Sequence, residues 1–145
     1  MTTIDGSPGG TTYRLKAWMS WTVRIAGVYN IGAGLVMIVG YHECFRLMGI
    51  AKPELVLPIQ LVGLLVAIFG IGYLMVDRDP LANRNILWLG FLSKLFGPLL
   101  ASVYIVRGEL PISMLIVLFF ADIIYLYPFW RILQWIGESG PRRMV

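Results

Sequence analysis

The sequence is poor in the residues that build thiol and haem centres. It contains one cysteine, Cys44, and one histidine, His42. A single cysteine cannot form an intrachain disulfide or a thiol relay, and a single histidine cannot supply the usual pair of axial ligands for a membrane haem. These counts argue against thiol redox chemistry and b-type haem binding within one copy of the chain.

Charged residues are scarce as well. They make up 14% of the chain, whereas hydrophobic residues make up 58%. A soluble domain of this length is about half apolar and about a quarter charged, so the composition indicates an integral membrane protein. The net charge of +4 is spread over the polar segments without a basic run, and we therefore predict no binding to nucleic acid.

Four long apolar stretches predict the fold. Each has about 20 residues, the number needed to cross a hydrocarbon core about 30 Å thick. We predict spans at about 19–39, 55–76, 86–106 and 112–133. The expected fold is all-α, an integral membrane four-helix bundle in which residues 1–145 form one domain. Residues 1–12 are predicted to be a polar tail and residues 134–145 a basic tail.

The segment that follows the first span, from Gly40 to about Pro53, has an amphipathic pattern. It is too short to cross the bilayer, so we predict a helix that lies in the membrane interface. Within it, His42 and Glu43 are like the start of a zinc-protease motif, but the second histidine four residues later is absent. We therefore predict no metal site.

Basic residues near the span ends predict the orientation. The side of the membrane that holds the first and third loops would carry only Arg46, Lys52 and Arg107. The side that holds both termini and the second loop would carry Arg14, Lys16, Arg78, Arg84, Arg131, Arg142 and Arg143. By the positive-inside rule both termini are expected in the cytoplasm, with the chain in a bacterial inner membrane.

Two further sets of residues are typical of membrane helices. Tryptophans near the span ends are predicted interface anchors, namely Trp18, Trp21, Trp130 and Trp135. Small residues inside the spans are predicted to let helices pack closely, namely Gly27, Gly34, Gly63, Ala67, Gly70, Ser93, Gly97 and Ala101.

Lys94 and Asp122 are ionisable residues deep inside apolar spans. Lys94, Asp122 and Asn30 are predicted to lie at similar depths, about 12 to 16 Å from the cytoplasmic ends of their helices. A charge in the bilayer centre costs about 2.5 to 3.5 kcal/mol on insertion scales, so we predict an intramembrane polar cluster of these three residues. The pair could fix helix order, carry a proton or ion, or anchor a lipid or quinone head group, and Asp122 could instead meet a partner subunit. Arg24 could snorkel to the interface or join the cluster.

The sequence has four short spans with both ends predicted inside, an Arg24-Ile-Ala-Gly27 entry to the first span, and a glycine-rich middle in that span. In these features it resembles the DoxX-like family of small bacterial membrane proteins. The resemblance covers about Trp21 to Trp135. It implies a link to quinone-coupled oxidation of sulfur compounds, usually as a subunit beside other proteins. It assigns no catalytic residue to this chain.

The residues present do not make a sufficient set of catalytic groups or cofactor ligands. We expect a non-catalytic accessory or scaffold subunit of a larger membrane complex, a respiratory or photosynthetic one, with lipids and other membrane subunits as partners. We expect no cofactor held by the chain's own ligands, although lipid or quinone could bind. The alternative is a small quinone-linked oxidoreductase subunit, or a proton or small-molecule carrier, that uses the Lys94–Asp122 pair.

Overall fold

The structure, a computed structural model, describes residues 13–49 and 51–139. These residues form helices and connecting turns, with no strand among them. Four of the helical segments are long and apolar enough to cross a membrane. They are α1 (Ala17–Val39), α3 (Leu57–Arg78), α4 (Arg84–Val106) and a composite fourth span from Met114 to Ser139. The described chain therefore has the architecture of a multi-pass membrane protein.

The helix of the fourth predicted span continues past residue 133, where the span was predicted to end, as far as Ser139. The side chains of Phe129, Ile132, Leu133 and Ile136 are all buried, and their spacing places them on one face of a helix. Residues 134–139 of the predicted basic tail thus belong to this helix. Residues 140–145 and the predicted polar tail 1–12 lie outside the described residues.

The fourth span is not a uniform α-helix. It consists of α5 (Met114–Leu118), a π-helical turn (Phe119–Ile123) and a longer α-helix that we label α6 (Ile124–Ser139). A π-helical turn accommodates one extra residue in an otherwise α-helical segment. Hydropathy gives no indication of this turn, and the turn was therefore not predicted from the sequence.

A short helix, α2 (Tyr41–Met48), occupies the segment predicted to lie in the interface. Gly49 ends it with φ = 65°, a left-handed conformation that glycine adopts at no steric cost. None of the residues of α2 is buried, and Glu43 pairs with Arg46 one turn later. The helix therefore rests on the bundle without entering its core.

The first two spans pack against each other through pairs of glycines. A methyl group on Gly70 would lie 2.6 Å from the carbonyl oxygen of Gly27, and one on Gly63 would lie 2.8 Å from that of Gly34. The two glycines on each helix are seven residues apart and pair in antiparallel order, so the backbones of α1 and α3 touch at two levels. Such close approach maximises van der Waals contact between membrane helices.

The bundle has its tightest packing at one end, where α1 and α4 begin and α3 and α6 finish. We call this the terminal end. Its buried apolar side chains are Leu15, Met19, Val23, Ala26, Tyr73, Val76, Leu87, Phe129, Ile132, Leu133 and Ile136. By contrast, the hairpin from Leu99 to Leu118 has no buried residue. We call this hairpin, which comprises the end of α4, the connecting turn and α5, the far limb.

Candidate functional site

Lys94 lies inside the bundle and is only 4% exposed. It is one of four buried residues of α4, with Leu87, Gly90 and Pro98. These positions recur at helical spacing and define the inward face of α4. Lys94 follows the first residue of α4 by ten positions, which is about 15 Å along the helix axis. Its side chain therefore starts close to the middle of a hydrocarbon core about 30 Å thick.

The π-helical turn of the fourth span receives the Lys94 side chain. Its Nζ donates a hydrogen bond to the carbonyl oxygen of Ala121 at 2.6 Å and another to Oδ1 of Asp122 at 3.2 Å. Nζ also lies 4.9 Å from the ring centroid of Tyr125, within range for a cation–π interaction. The ammonium group thus meets a carbonyl, a carboxylate and an aromatic face on one segment.

The local backbone geometry explains how this membrane span presents polar groups to Lys94. A π-helical turn replaces the i→i+4 pattern with i→i+5 bonds, and such turns frequently occur at functional sites. Here the carbonyl of Ala121, within the turn, accepts a bond from Lys94. The extra residue also sets the direction in which Asp122 leaves the helix, towards α4.

Asp122 differs from Lys94 in its exposure. Its side chain is 26% exposed, whereas that of Lys94 is 5% exposed. Oδ1 faces Lys94, and Oδ2 faces α4 at Gly97, where a methyl group would lie 3.9 Å from it. Asp122 follows Met114 by eight positions, about 12 Å from the opposite end of its span. The pair therefore lies near mid-membrane, with one carboxylate oxygen towards the surface of the bundle.

Aromatic side chains surround the pair on the side of the terminal end. The rings of Tyr29 and Tyr125 are 6.4 Å apart, and Tyr125 also lies 5.7 Å from Phe129. Tyr73 contacts Phe129 edge to face at 5.1 Å and packs its hydroxyl against Gly90. These rings separate the Lys94–Asp122 pair from the terminal end of the bundle.

The structure brings two of the three predicted cluster residues into contact. Lys94 and Asp122 are bonded, while Asn30 is buried on α1 and takes no part in the two hydrogen bonds that Lys94 donates. Asn30 lies next to Tyr29, which faces Tyr125. Its side chain therefore belongs to the bundle interior without joining the ion pair.

Arg24, predicted to lie either at the interface or in the polar cluster, pairs with Asp77. Its Nε lies 2.6 Å from Oδ2 of Asp77 at the end of α3, and Ser20 donates a hydrogen bond to Oδ1 of the same carboxylate. The Arg24 side chain is 54% exposed. This bridge between an exposed arginine and a largely buried aspartate ties α1 to α3 near the terminal end, and Arg24 does not join the Lys94–Asp122 cluster.

The predicted small-residue positions divide into two groups. Gly27, Gly34, Gly63 and Gly70 lie between α1 and α3, and Ala67 contacts Gly34 there. On α4, Ser93 and Gly97 are exposed and Ala101 is half-buried. Successive residues of a helix are rotated by about 100° around its axis. Ser93 and Gly97 directly precede the buried residues Lys94 and Pro98, so they lie about 100° away from the inward face. Within this chain these residues do not form the inward face of α4, and their packing against another helix stays a prediction.

The predicted anchor tryptophans are largely accessible. Trp18, Trp21 and Trp130 are exposed and Trp135 is half-buried. All four lie on α1 or α6 towards the terminal end. Trp130 also packs edge to face against Trp88 at 6.0 Å, so one of the four supports the contact between α4 and α6.

Neither the described side chains nor the comparisons with known proteins assign a chemistry to this site. Among residues 13–49 and 51–139, no group of three or more His, Cys, Asp or Glu side chains is placed to hold a metal ion. Comparisons of the chain with protein-family models, with curated proteins and with solved structures found no match. The site is therefore interpreted from its own geometry.

Proposed function

We propose that the protein is a non-catalytic accessory or scaffold subunit of a larger membrane complex. The far limb supports this proposal most directly. Between Leu99 and Leu118 the chain buries no residue, although the spans α1 and α3 each bury residues in both of their halves. The proposal includes a bacterial inner membrane, cytoplasmic termini and a respiratory or photosynthetic complex.

Helix association in a bilayer explains why an unpacked limb favours a partner. Lipid chains are as apolar as leucine, so membrane helices associate through close packing and hydrogen bonds between them. The far limb receives little of that stabilisation from its own chain. Its exposed large apolar residues are Leu99, Leu100, Val103, Tyr104, Val106, Ile112, Leu115, Ile116 and Val117. A helix of another subunit laid against this surface would supply the missing packing.

Gentle purification tests the proposal. The chain is extracted in mild detergent by a tag on its C-terminus, and the eluate is analysed by protein mass spectrometry and by absorption spectroscopy of bound pigments or quinones. We expect stoichiometric recovery of the same membrane proteins in repeated preparations. Recovery of this chain alone from fully solubilised membranes would contradict the proposal.

The Lys94–Asp122 pair favours a second candidate function, a carrier of a proton or of a small molecule within the membrane. Ionisable residues at this depth are costly and commonly mark transport or proton pathways. Asp122 is also 26% exposed, so a species outside the chain could reach its carboxylate. The same pair could instead serve a small quinone-linked oxidoreductase subunit, because the resemblance to the DoxX-like family implies a link to quinone-coupled oxidation.

A conservative substitution tests the second candidate. Asp122→Asn keeps the size of the side chain and an acceptor oxygen for Lys94 but removes the carboxylate. In proteoliposomes we expect it to abolish proton or substrate movement, whereas Asp77→Asn, which alters the bridge to Arg24, should keep that movement. Unchanged movement in a folded Asp122→Asn protein would rule out the carrier.

A further inference from the structure

The two oxygens of the Asp122 carboxylate have different surroundings. Oδ1 accepts a hydrogen bond from Lys94, whereas Oδ2 accepts none from the part of the chain that the structure describes. If Gly97 carried a methyl group, one atom outside its own helix turn would lie within 4 Å of it, namely Oδ2 at 3.9 Å. Gly97 is itself exposed. The absent side chain at this position therefore leaves a small opening, which we call the Gly97 notch, beside Oδ2.

The notch opens towards lipid. Gly97 follows Arg84 by thirteen positions, about 20 Å along α4, which places it within the hydrocarbon region. The neighbouring side chains of Phe96 and Leu100 are 60% and 63% exposed. An apolar rim thus surrounds a single carboxylate oxygen, so a molecule that reaches it arrives through the lipid phase.

The charge of the site limits what can bind there. A polar group in hydrocarbon without a hydrogen-bond partner is costly, and Oδ2 can be satisfied only by a donor. Lys94 already neutralises Asp122, so a cationic or anionic ligand would leave a net charge in the membrane interior, which is also costly. A neutral molecule with a hydroxyl or similar donor meets both conditions. Ser93, exposed one turn before Gly97, adds a hydroxyl on the same face of α4.

We propose that the Gly97 notch binds a neutral, apolar molecule whose hydroxyl or equivalent donor bonds to Oδ2 of Asp122. The ligand comes from the lipid phase, and its apolar body lies against Phe96, outside the far limb. This inference rests on the second candidate function and names the class of molecule that the site accepts.

A hydrophobic carbodiimide reports whether Asp122 can be reached from lipid. The carboxylate adds to the carbodiimide carbon and a nitrogen takes the proton from Lys94, which gives an O-acylisourea beside a neutral amine. Attack of that amine, whose Nζ lies 3.2 Å from Oδ1, forms a Lys94–Asp122 amide and releases the urea, with net loss of one water from the protein. Transfer of the acyl group to nitrogen instead leaves an N-acylurea on Asp122. Peptide mass spectrometry distinguishes both products from unmodified protein.

Two glycine variants make a matched comparison for access. Gly97→Leu fills the notch and leaves both Lys94 and Asp122 in the chain, whereas Gly32→Leu places the same side chain on an exposed position of α1 that has nothing within 4 Å. We expect Gly97→Leu to slow the modification of Asp122 several-fold and Gly32→Leu to leave it unchanged. Equal rates in the two variants would overturn access through the notch.

The class of ligand is tested by protection. A long-chain alcohol should slow the modification of Asp122 several-fold in the wild type, and the alkane of the same length should not. Equal effects of the two probes would overturn the requirement for a donor. A water-soluble carbodiimide that modified Asp122 as fast as the hydrophobic one would overturn entry from lipid.

A comparison of membranes with purified protein separates this inference from the proposed functions. Modification at similar rates in native membranes and in detergent supports an open notch. Modification only after the chain is separated from other proteins would overturn the inference, because a partner helix would then cover Asp122, and it would support the accessory-subunit proposal. If the notch is open but Asp122→Asn leaves transport unchanged, the binding site stands and the carrier function fails.

Discussion

Lys94 has a cost of burial that its neighbours offset. A lysine at the centre of a span costs about 2.5 to 3.5 kcal/mol on insertion scales, and this one has three partners, the carbonyl of Ala121, the carboxylate of Asp122 and the ring of Tyr125. Loss of either Lys94 or Asp122 would leave the charge of the other without compensation. At the scale of single residues, the pair therefore behaves as a unit.

Removal of one member of this pair should be more damaging than removal of both. We expect Lys94→Met to lower the free energy of unfolding by about 3 to 5 kcal/mol, because it leaves the Asp122 carboxylate unpaired in an apolar environment. The double variant Lys94→Met with Asp122→Leu should recover most of that loss. Unfolding in a denaturing detergent titration, followed by circular dichroism, measures the differences.

Arg24 supplies the matched control for that prediction. It is also a basic residue paired with an aspartate, but its side chain is 54% exposed, and Asp77, which is 12% exposed, keeps the hydrogen bond from Ser20 when Arg24 is replaced. We therefore expect this pair to contribute as little as exposed pairs do, about 1 kcal/mol or less. Arg24→Met should therefore lower the free energy of unfolding by no more than about 1 kcal/mol. Equal losses for Lys94→Met and Arg24→Met would contradict a special role for the buried pair.

At this scale the sequence predicts some contacts and not others. The depths of Lys94 and Asp122 are enough to suggest that they meet, since two lone charges in apolar spans need each other. The part played by the Ala121 carbonyl could not be foreseen, because it depends on a π-helical turn that leaves no trace in hydropathy. The partner of Arg24 was missed because Asp77 lies at a span end, where a charge needs no partner.

At the scale of helices, the contact between α1 and α3 depends on the absence of side chains. The carbonyl of Gly27 faces Gly70 and the carbonyl of Gly34 faces Gly63. Any larger residue at these levels would push the two backbones apart. Gly32, on the exposed side of α1, is free of this constraint.

A pair of leucine substitutions tests this contact. We expect Gly70→Leu to lower the free energy of unfolding by about 1 to 3 kcal/mol or more, because overpacking forces the backbones to move. Gly32→Leu should have a neutral or slightly favourable effect, since leucine is a better helix former than glycine. Thermal unfolding of the two proteins in the same detergent decides between them, and a stable Gly70→Leu protein would count against close backbone packing.

The spans were easier to predict from sequence than their faces. Length and apolarity indicate where each helix crosses, but they did not predict that the fourth helix continues through residues 134–139, which are amphipathic and not uniformly apolar. Ser93, Gly97 and Ala101 were expected to pack against a helix, and none of them is buried within this chain. The inward face of α4 is decided by Lys94, whose cost of exposure to lipid outweighs the small gain from packing a glycine.

At the scale of the whole molecule, the antiparallel spans place both ends of the described chain at the terminal end. The predicted excess of lysine and arginine on that side favours its retention in the cytoplasm. We expect a fluorescent protein fused after Val145 to fluoresce in a bacterial host, and a periplasm-dependent phosphatase fused there to be inactive. An active phosphatase fusion at the C-terminus would reverse the predicted orientation.

The whole molecule also combines a packed end with an unpacked one. Buried side chains from α1, α3, α4 and α6 hold the terminal end together, while the far limb has none. In the proposed complex, the far limb is the surface that another subunit covers. The Lys94–Asp122 pair lies near the junction of the two parts.

The most direct test of the subunit proposal is photocrosslinking from the far limb in native membranes. A photoreactive amino acid is placed at Leu99 or at Ile116, and at Leu65 of α3 as a control, because Leu65 is 57% exposed and Leu99 is 56% exposed. We predict that both limb positions crosslink to the same membrane protein and that the control labels lipid. Lipid adducts alone at Leu99 and at Ile116 would contradict the account.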